Sequence, residues 1–278
     1  MGTSPSLRLA IGHVPIDVLT FQEALQRIAW LVQRGQGGFV VTPNVEHVVL
    51  ASSQLAFREA YAHASLSLVD GQPLVWLSPL VGKKLPEKIS GADLVWPLLE
   101  MAAQKSWRVY FLGASPEVTA KAKQVVEERY GTKVAGCDSP FISVEATLED
   151  NQETLDKIKK ARPDLLLVAL GAPKQEIWMW RFRQHYAPAV ALGIGASLDF
   201  VAQRVRRAPR WVSRCGLEWA YRLKQEPRRL WRRYLLRGPK FLGLLLQTLL
   251  RPKSERVFSL PPNPEVDLSP SPKDEPPL

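Results

Sequence analysis

The chain has 278 residues, 46% hydrophobic and 23% charged, an ordinary globular make-up that suits one sizeable core plus appendages, or two small domains. Its two cysteines, Cys137 and Cys215, exclude a disulfide framework or a cysteine-paired metal site, and the longest apolar stretch, Phe241 to Leu250, is well short of the roughly 20 residues that span a bilayer. The net charge of +10 is local: Arg204 to Lys240 holds 11 Arg and 2 Lys against Glu218 and Glu226, a net +11 that leaves the remainder at −1. Such asymmetry points that segment toward a polyanion, whether nucleic acid, anionic membrane or diphosphate. With no signal segment at the start and a cysteine content that fits a reducing compartment, a cytosolic enzyme is the expectation.

Residues 1 to 8 read as a loose lead-in, and Ile11 to Leu19 alternates around Pro15 as an edge strand or hairpin would. Thr20 with Glu23 forms a capping-box pattern for a helix over Phe21 to Gln33. Phe39-Val40-Val41 is a strand ending at Thr42-Pro43-Asn44, and a helix follows from Val45. Leu66 to Val69 is the next strand and delivers Asp70-Gly71; a loop with Lys83, Lys84 and Lys88 then leads to a helix headed by Gly91-Ala92-Asp93. Val109 to Leu112 is a strand ending at Gly113, and Ser115-Pro116-Glu117 supplies an N-cap, a proline at the first helical position and an acid in the first turn. Lys133 to Gly136 is a short strand and Thr147 to Ala161 a polar-faced helix.

Leu165 to Leu170, unbroken and apolar between Pro163 and Gly171, reads as a parallel strand buried on both faces. It turns at Gly171-Ala172-Pro173 into Lys174-Gln175-Glu176 and an aromatic-rich helix. Val190 to Leu192 is the last strand, turning at Gly193-Ile194-Gly195 before Asp199-Phe200. Strand and helix alternate throughout, so residues 1–203 are expected to form an α/β core with a Rossmann-like, largely parallel sheet flanked by helices. Residues 204–252 are expected to form a basic helical appendage. There Val212, Cys215, Gly216, Trp219, Ala220 and Leu223 make one apolar stripe, Pro227 starts a second helix with its arginines opposite Leu230, Trp231, Tyr234 and Leu235, and Phe241 to Leu250 is a short apolar helix. Residues 253–278, dominated by proline and charge, are expected to be disordered.

In open parallel sheets ligands bind just beyond the carboxyl ends of the strands. Thr42 with Asn44, Asp70, and Lys174-Gln175-Glu176 all follow apolar runs, so they converge on one edge. A carboxylate at a strand tip suits a general base, although Asp70-Gly71 equally fits a turn and Thr42 a helix cap. Gly113-Ala114-Ser115 could cradle a phosphate on backbone amides. His13, His47, His63 and His185 lack metal-ligand spacing and read as surface or packing residues. The chain has no Gly-x-Ser-x-Gly, Walker A loop or His-Glu-x-x-His, and no Asp-x-Asp of the kind that holds a divalent ion on a nucleotide diphosphate. A bound diphosphate would then be neutralised by cations, with Lys88 and the Arg-rich segment the obvious supply, and no metal or other cofactor is expected.

These motifs occur in an order that resembles the WecG/TagA/CpsF glycosyltransferase family over Ile11 to Leu242. The resemblance is carried by Thr42-Pro43-Asn44, Asp70-Gly71, Gly91-Ala92-Asp93-Leu94, Phe111-Leu112-Gly113, Gly171 to Glu176, Gly193 to Ala196, Asp199-Phe200 and Arg207-Ala208-Pro209. It continues through Leu217-Glu218-Trp219, Tyr221-Arg222-Leu223, Glu226 to Arg229 and Arg232-Arg233-Tyr234. It implies an inverting, metal-independent enzyme that transfers an N-acetylmannosamine-type sugar from a UDP donor to a polyprenyl-diphosphate-linked sugar at the cytoplasmic membrane face. It further implies Asp70 as base with Thr42 beside it, Asn44, Gln175 and Asp199 at sugar or nucleotide positions, and Arg222, Arg229 and Arg232 in an appendage that closes over the site. Gly113, Gly171, Lys174, Glu176 and Gly195 belong to the same expected site. The sequence departs from the family pattern twice: Lys88 stands where many members carry Arg, losing the bidentate fork, and Cys137 to Phe141 replaces a His-Gly-Tyr-Phe-like loop.

The expected partners are thus a UDP-sugar, a lipid-linked acceptor and an anionic membrane surface, for which interfacial Trp and Arg are suited. The amphipathic appendage could pack on a neighbouring subunit as easily as on its own core, so a homo-oligomer stays open. Two rivals are a nucleic-acid-binding module, using Arg interleaved with Trp and Tyr, and an inactive membrane scaffold. The first leaves the strand-end polar groups without purpose, and the second leaves Asp70, Thr42 and Gln175 unexplained; nucleic acid is therefore not expected as a partner.

Overall fold

A computed structural model describes residues 7–131, 134–205, 212, 218–225 and 238–259. The chain opens on a hairpin of β1 (Leu7–Ile11) and β2 (Val14–Asp17). Next come α1 (Phe21–Arg34), β3 (Gly38–Val41), α2 (Val45–Ser53), α3 (Leu55–Ala62), β4 (Leu66–Ser67), α4 (Gln72–Val81) and α5 (Gly91–Gln104). They are followed by β5 (Val109–Gly113), α6 (Pro116–Tyr130), β6 (Val134–Asp138), α7 (Leu148–Ala161), β7 (Leu165–Ala169), α8 (Lys174–Arg181), α9 (Arg183–Tyr186), β8 (Val190–Gly193) and α10 (Ser197–Val201). Towards the C-terminus lie α11 (Glu218–Gln225), α12 (Gly238–Leu249), α13 (Lys253–Arg256) and β9 (Val257–Ser259). The capping box at Thr20 and Glu23 forms as its spacing requires, and α6 starts at Ser115 and Pro116.

Six strands in the order β4-β3-β8-β7-β5-β6 make the central sheet, and every neighbouring pair is parallel. The fold is therefore α/β, with a Rossmann-like sheet flanked by helices. On β7, Leu165 and Leu167 face one core cluster while Leu166 and Val168 face the other, which is why the sequence there has no polar alternation. Helices α1, α5, α6 and α10 cover the first face, and α2, α3, α7, α8 and α9 the second. The helix after β3 or β7 and the helix after β8 or β5 thus lie on opposite faces. Their divergence opens crevices at the carboxyl ends of these central strands, the place where such sheets accept ligands.

The small antiparallel sheet has the order β2-β1-β9 and corrects two expectations. Residues 7 and 8 belong to β1 rather than to a loose lead-in, and Arg8 is buried. Its guanidinium grips Asp17 through Nε–Oδ1 at 2.9 Å and a second contact at 3.2 Å, and donates to the Ala64 carbonyl at 2.9 Å. Asp17 in turn accepts from the Ser67 amide of β4 at 2.8 Å, so this ion pair pins the hairpin to the edge of the central sheet. Both partners are hydrogen-bonded on several sides, the condition under which a buried charge pair is tolerated.

The second correction concerns residues 253–259, expected to be disordered; they form α13 and β9, because β9 satisfies the open edge of β1. Residues 260–278 lie outside the described residues, as does most of 206–237. Helix α12 buries Phe241 and Leu245 in the same core cluster as the hairpin, while the Thr248 hydroxyl accepts from the Gly12 amide at 2.8 Å and Arg251 donates to the Gly12 carbonyl at 2.9 Å. The β4 ladder is shorter than expected: it ends at Ser67, and the Val69 carbonyl turns instead to the Ile89 amide at 2.7 Å.

Removing one partner of a buried pair leaves the other charge stranded. Asp17→Ala is expected to destabilise the chain by about 3–5 kcal/mol in urea unfolding. A loss below about 1 kcal/mol would show that the pair does not hold the hairpin to β4.

Candidate active site

The carboxyl ends of the parallel strands line one edge of the central sheet. Thr42, directly after β3, is buried, and its hydroxyl donates to the Gly193 carbonyl at the end of β8 across 3.3 Å. Asn44, rather than Thr42, caps α2: its side-chain oxygen accepts from the amides of Glu46 at 2.9 Å and His47 at 3.3 Å. Asp70, half-buried beyond β4, donates its amide to the Pro43 carbonyl at 2.7 Å, which sets its tip of the sheet beside that of β3.

Helix α8 carries Gln175 and Glu176 into the interior, both almost fully buried. Gln175 braces two elements: its Oε1 accepts from the Gly195 amide at 3.0 Å and its Nε2 donates to the Glu176 carboxylate at 2.8 Å. Glycine at 193 leaves room for this amide, since a β-carbon there would lie 3.0 Å from both Gln175 Nε2 and Met179 Cε.

Two buried aromatic residues that sequence spacing did not single out stand behind this edge. His47 Nδ1 and the Tyr61 hydroxyl share a hydrogen bond of 2.7 Å, and both rings pack edge-on against Phe57. Burial holds the Tyr61 hydroxyl well above its ordinary pKa of 10.0, and the negative charges of Glu176 and Asp70 push it the same way. One buried hydroxyl therefore feels carboxylates from both the β4 end and α8. His47 follows the Asn44 cap by three residues and could have been suspected from that; Tyr61 sits on α3 and carries no local signal.

Lys88 lies next to this region. The Ile89 amide bonds the Val69 carbonyl, and the Lys88 ammonium is 3.8 Å from Asp93, a member of the capping box that heads α5. Gly91 presses α5 against the β8 turn, where a β-carbon would lie 3.2 Å from Ile194 Cα.

Further along the edge, Gly113 has φ 99°, and a β-carbon there would fall 2.8 Å from the Ala169 carbonyl, so only glycine lets β5 and β7 end together. Gly171 and Gly195 also take positive φ as the chain leaves β7 and β8. Lys174 holds its ammonium 5.1 Å from the centroid of the Phe141 ring, which is 95% exposed at the loop after β6.

Asp199 is half-buried on α10, and its carbonyl accepts from the Arg204 amide at 3.0 Å. The Ser115 hydroxyl chiefly, with a lesser contribution from Arg204, holds the Glu117 carboxyl below its ordinary 4.5. Arg204 therefore stands near the N-terminus of α6. Arg222 falls on α11 with its side chain outside the description, and Arg229 and Arg232 lie outside the described residues.

The arrangement pairs a carboxylate at a strand tip with cations and helix N-termini, groups able to activate a hydroxyl and receive a phosphate. Residues 9–255 match the family described as Glycosyl transferase WecG/TagA/CpsF. The chain belongs to this glycosyltransferase family. It is 36% identical over 231 residues, 83% of this chain and 84% of the relative, to a Bacillus spizizenii protein named N-acetylglucosaminyldiphosphoundecaprenol N-acetyl-beta-D-mannosaminyltransferase. A Bacillus subtilis protein of the same name is 32% identical over 258 residues, covering 92% of this chain and 95% of the relative. The WecG/TagA/CpsF match includes every strand-end residue above and extends past α12 into α13. This chain is thus a hexosyltransferase of that family.

Raised tyrosine pKa values make stability fall in alkali. Tyr61, like Tyr186, holds its proton more tightly when folded, so its contribution is complete below pH 10 and is lost as pH rises toward the folded value. Each such group steepens the decline by about 1.4 kcal/mol per pH unit. Tyr61→Phe should give a shallower fall of the unfolding free energy above pH 10; an unchanged slope would place the Tyr61 hydroxyl in water.

Proposed function

We propose that this chain is an inverting, metal-independent transferase that moves N-acetylmannosamine, or a related N-acetylhexosamine such as its uronate, from a UDP donor to a polyprenyl-diphosphate-linked sugar. The observation that carries the reading is the chain of hydrogen bonds that ties the strand ends together: Asp70 to Pro43 after β3, Thr42 to Gly193 of β8, and Gly195 to Gln175 of α8. The names of the two Bacillus relatives support it: they specify N-acetyl-β-D-mannosamine as the sugar moved and N-acetylglucosaminyl-diphosphoundecaprenol as its acceptor. A β-linked product follows from an α-linked nucleotide donor by one displacement with inversion.

In that displacement Asp70 removes the proton from an acceptor hydroxyl, whose oxygen bonds to the anomeric carbon as the bond to UDP breaks. Thr42 and Gln175 fix the sugar-facing end of β3 and the β8 turn, while Asn44 and Asp199 flank it. The departing diphosphate gathers charge that Lys88, Lys174, the N-terminus of α6 after Gly113, and the appendage arginines Arg222, Arg229 and Arg232 neutralise. Such groups act most strongly where water is excluded, so closure of the basic segment over the edge belongs to the mechanism. The substrate side is the cytoplasmic face of the membrane. Among the described residues no helix is long and apolar enough to cross a membrane, which fits attachment at the surface.

The test is transfer from UDP-N-acetylmannosamine to a short-chain polyprenyl-diphosphate N-acetylglucosamine. Asp70→Asn should lower kcat by roughly a hundredfold or more with little change in melting temperature, and EDTA should leave the wild-type rate unchanged. Near wild-type turnover by folded Asp70→Asn would remove the base assignment, and a rate abolished by EDTA and restored by a divalent ion would remove the metal-independent one.

A further inference from the structure

Outside the strand-end edge, two touching helices turn large apolar side chains to solvent. On α4, Trp76 is 56% and Leu80 is 61% exposed, one helical turn apart, while Leu74, Val75 and Val81 fill the core. On α12, Leu242 and Leu246 are 63% and 60% exposed on the flank about 100° around the helix from the buried Phe241 and Leu245. A short helix with two apolar sides, one of them already filled by the core, is placed to bury the other against something else.

The surrounding charge indicates what. Lys83 and Lys84 are exposed directly after α4, and the position of a β-carbon on Gly82 is 3.8 Å from Lys253 Cε, so three lysines belong to the end of α4. Arg256 donates to the Val81 carbonyl at 3.0 Å and fixes α13 against that end of α4. Glu87 and Glu255 are the nearby acids, but Glu87 accepts from the Phe21 amide at 2.9 Å. In sequence, α12 follows directly on the Arg-rich stretch. An apolar strip containing Trp, rimmed by lysines and too short to span, has the make-up of a surface that lies in the headgroup region of an anionic bilayer.

We propose that α4 and α12 together form the face on which this protein sits on anionic membrane, with Trp76, Leu80, Leu242 and Leu246 in the interface and Lys83, Lys84 and Lys253 on headgroups. The contact thus joins a helix of the α/β core, α4, to α12, the last helix of the basic appendage. It also orients the site: α4 starts immediately after Asp70 and Gly71, and Trp76 lies about 9 Å further along at the helical rise of 1.5 Å per residue. Seating α4 in the interface holds the Asp70 edge within reach of a sugar carried on a membrane-embedded diphosphate. That purpose rests on the lipid-linked acceptor proposed above, whereas the contact itself does not.

The full chain is tested by co-sedimentation with vesicles of phosphatidylcholine alone or with a one-third share of phosphatidylglycerol. Wild type should bind the anionic vesicles. The double variant Trp76→Glu, Leu246→Glu should partition at least roughly tenfold more weakly, as should Lys83→Glu with Lys84→Glu, with melting temperatures unchanged because all four side chains are exposed. Wild-type vesicle binding by the folded Trp76→Glu, Leu246→Glu variant would overturn the proposal. So would a wild-type dimer that this variant splits while vesicle binding persists, since the face would then join two copies. No sugar is needed for this readout. Vesicle binding by a wild-type chain that does not transfer to the lipid-linked acceptor would reject the acceptor while supporting the surface.

Discussion

Four residues after the central strand, Gly193 to Ala196, hold the parts of the site in register. The Gly193 carbonyl takes the Thr42 hydroxyl from β3, the Gly195 amide is held by Gln175 from α8, and Ile194 meets Gly91 at the head of α5. Elements far apart in sequence thus converge on one turn. The contacts are made by a small residue, a backbone amide and a backbone carbonyl, so the turn has little freedom to shift without disturbing all three. Because β8 is hydrogen-bonded to β3 on one side and β7 on the other, the turn inherits the rigidity of the sheet. Positioning of this kind, by main chain rather than by flexible side chains, is what a site needs if it is to hold groups still during a displacement.

Electrostatics divides the molecule along the same edge. Carboxyl groups lie along it, at half-buried Asp70 and buried Glu176, and a buried His47–Tyr61 pair feels their field. Cations rim it: Lys88 beside the β4 tip, Lys174 on Phe141, and Arg204 near the start of α6. Carboxyl groups at the strand tips beside a cationic rim suit chemistry that takes a proton on one side and releases an anion on the other.

Much of the fold was legible in the sequence, and the reason is locality. The run Leu165 to Leu170, the Thr20–Glu23 box and the Ser115-Pro116 start each encode their structure within a few neighbouring residues. The parallel edge followed from them, and with it the grouping of Thr42, Asp70 and Gln175. What escaped depends on distant partners. Arg8 reads as a surface residue until the Ala64 carbonyl, 56 positions away, and Asp17 surround it. His47 and Tyr61 acquire meaning only once the fold buries them as a hydrogen-bonded pair from α2 and α3. The strand β9 hid in a proline-rich tail because its three residues gain order only from β1, at the opposite end of the chain.

That pairing has a consequence for biosynthesis. Leu7 is matched with Ser259, and the Gly12 turn is closed by Thr248 and Arg251, so this hairpin is completed only by a segment translated much later. Until translation passes Ser259, the nascent hairpin carries an open β-edge and an unfilled apolar flank where α12 will settle. An emerging polypeptide in that state is a natural client for chaperones, and a transcript cut short before this point would yield a product with a sticky, uncapped margin.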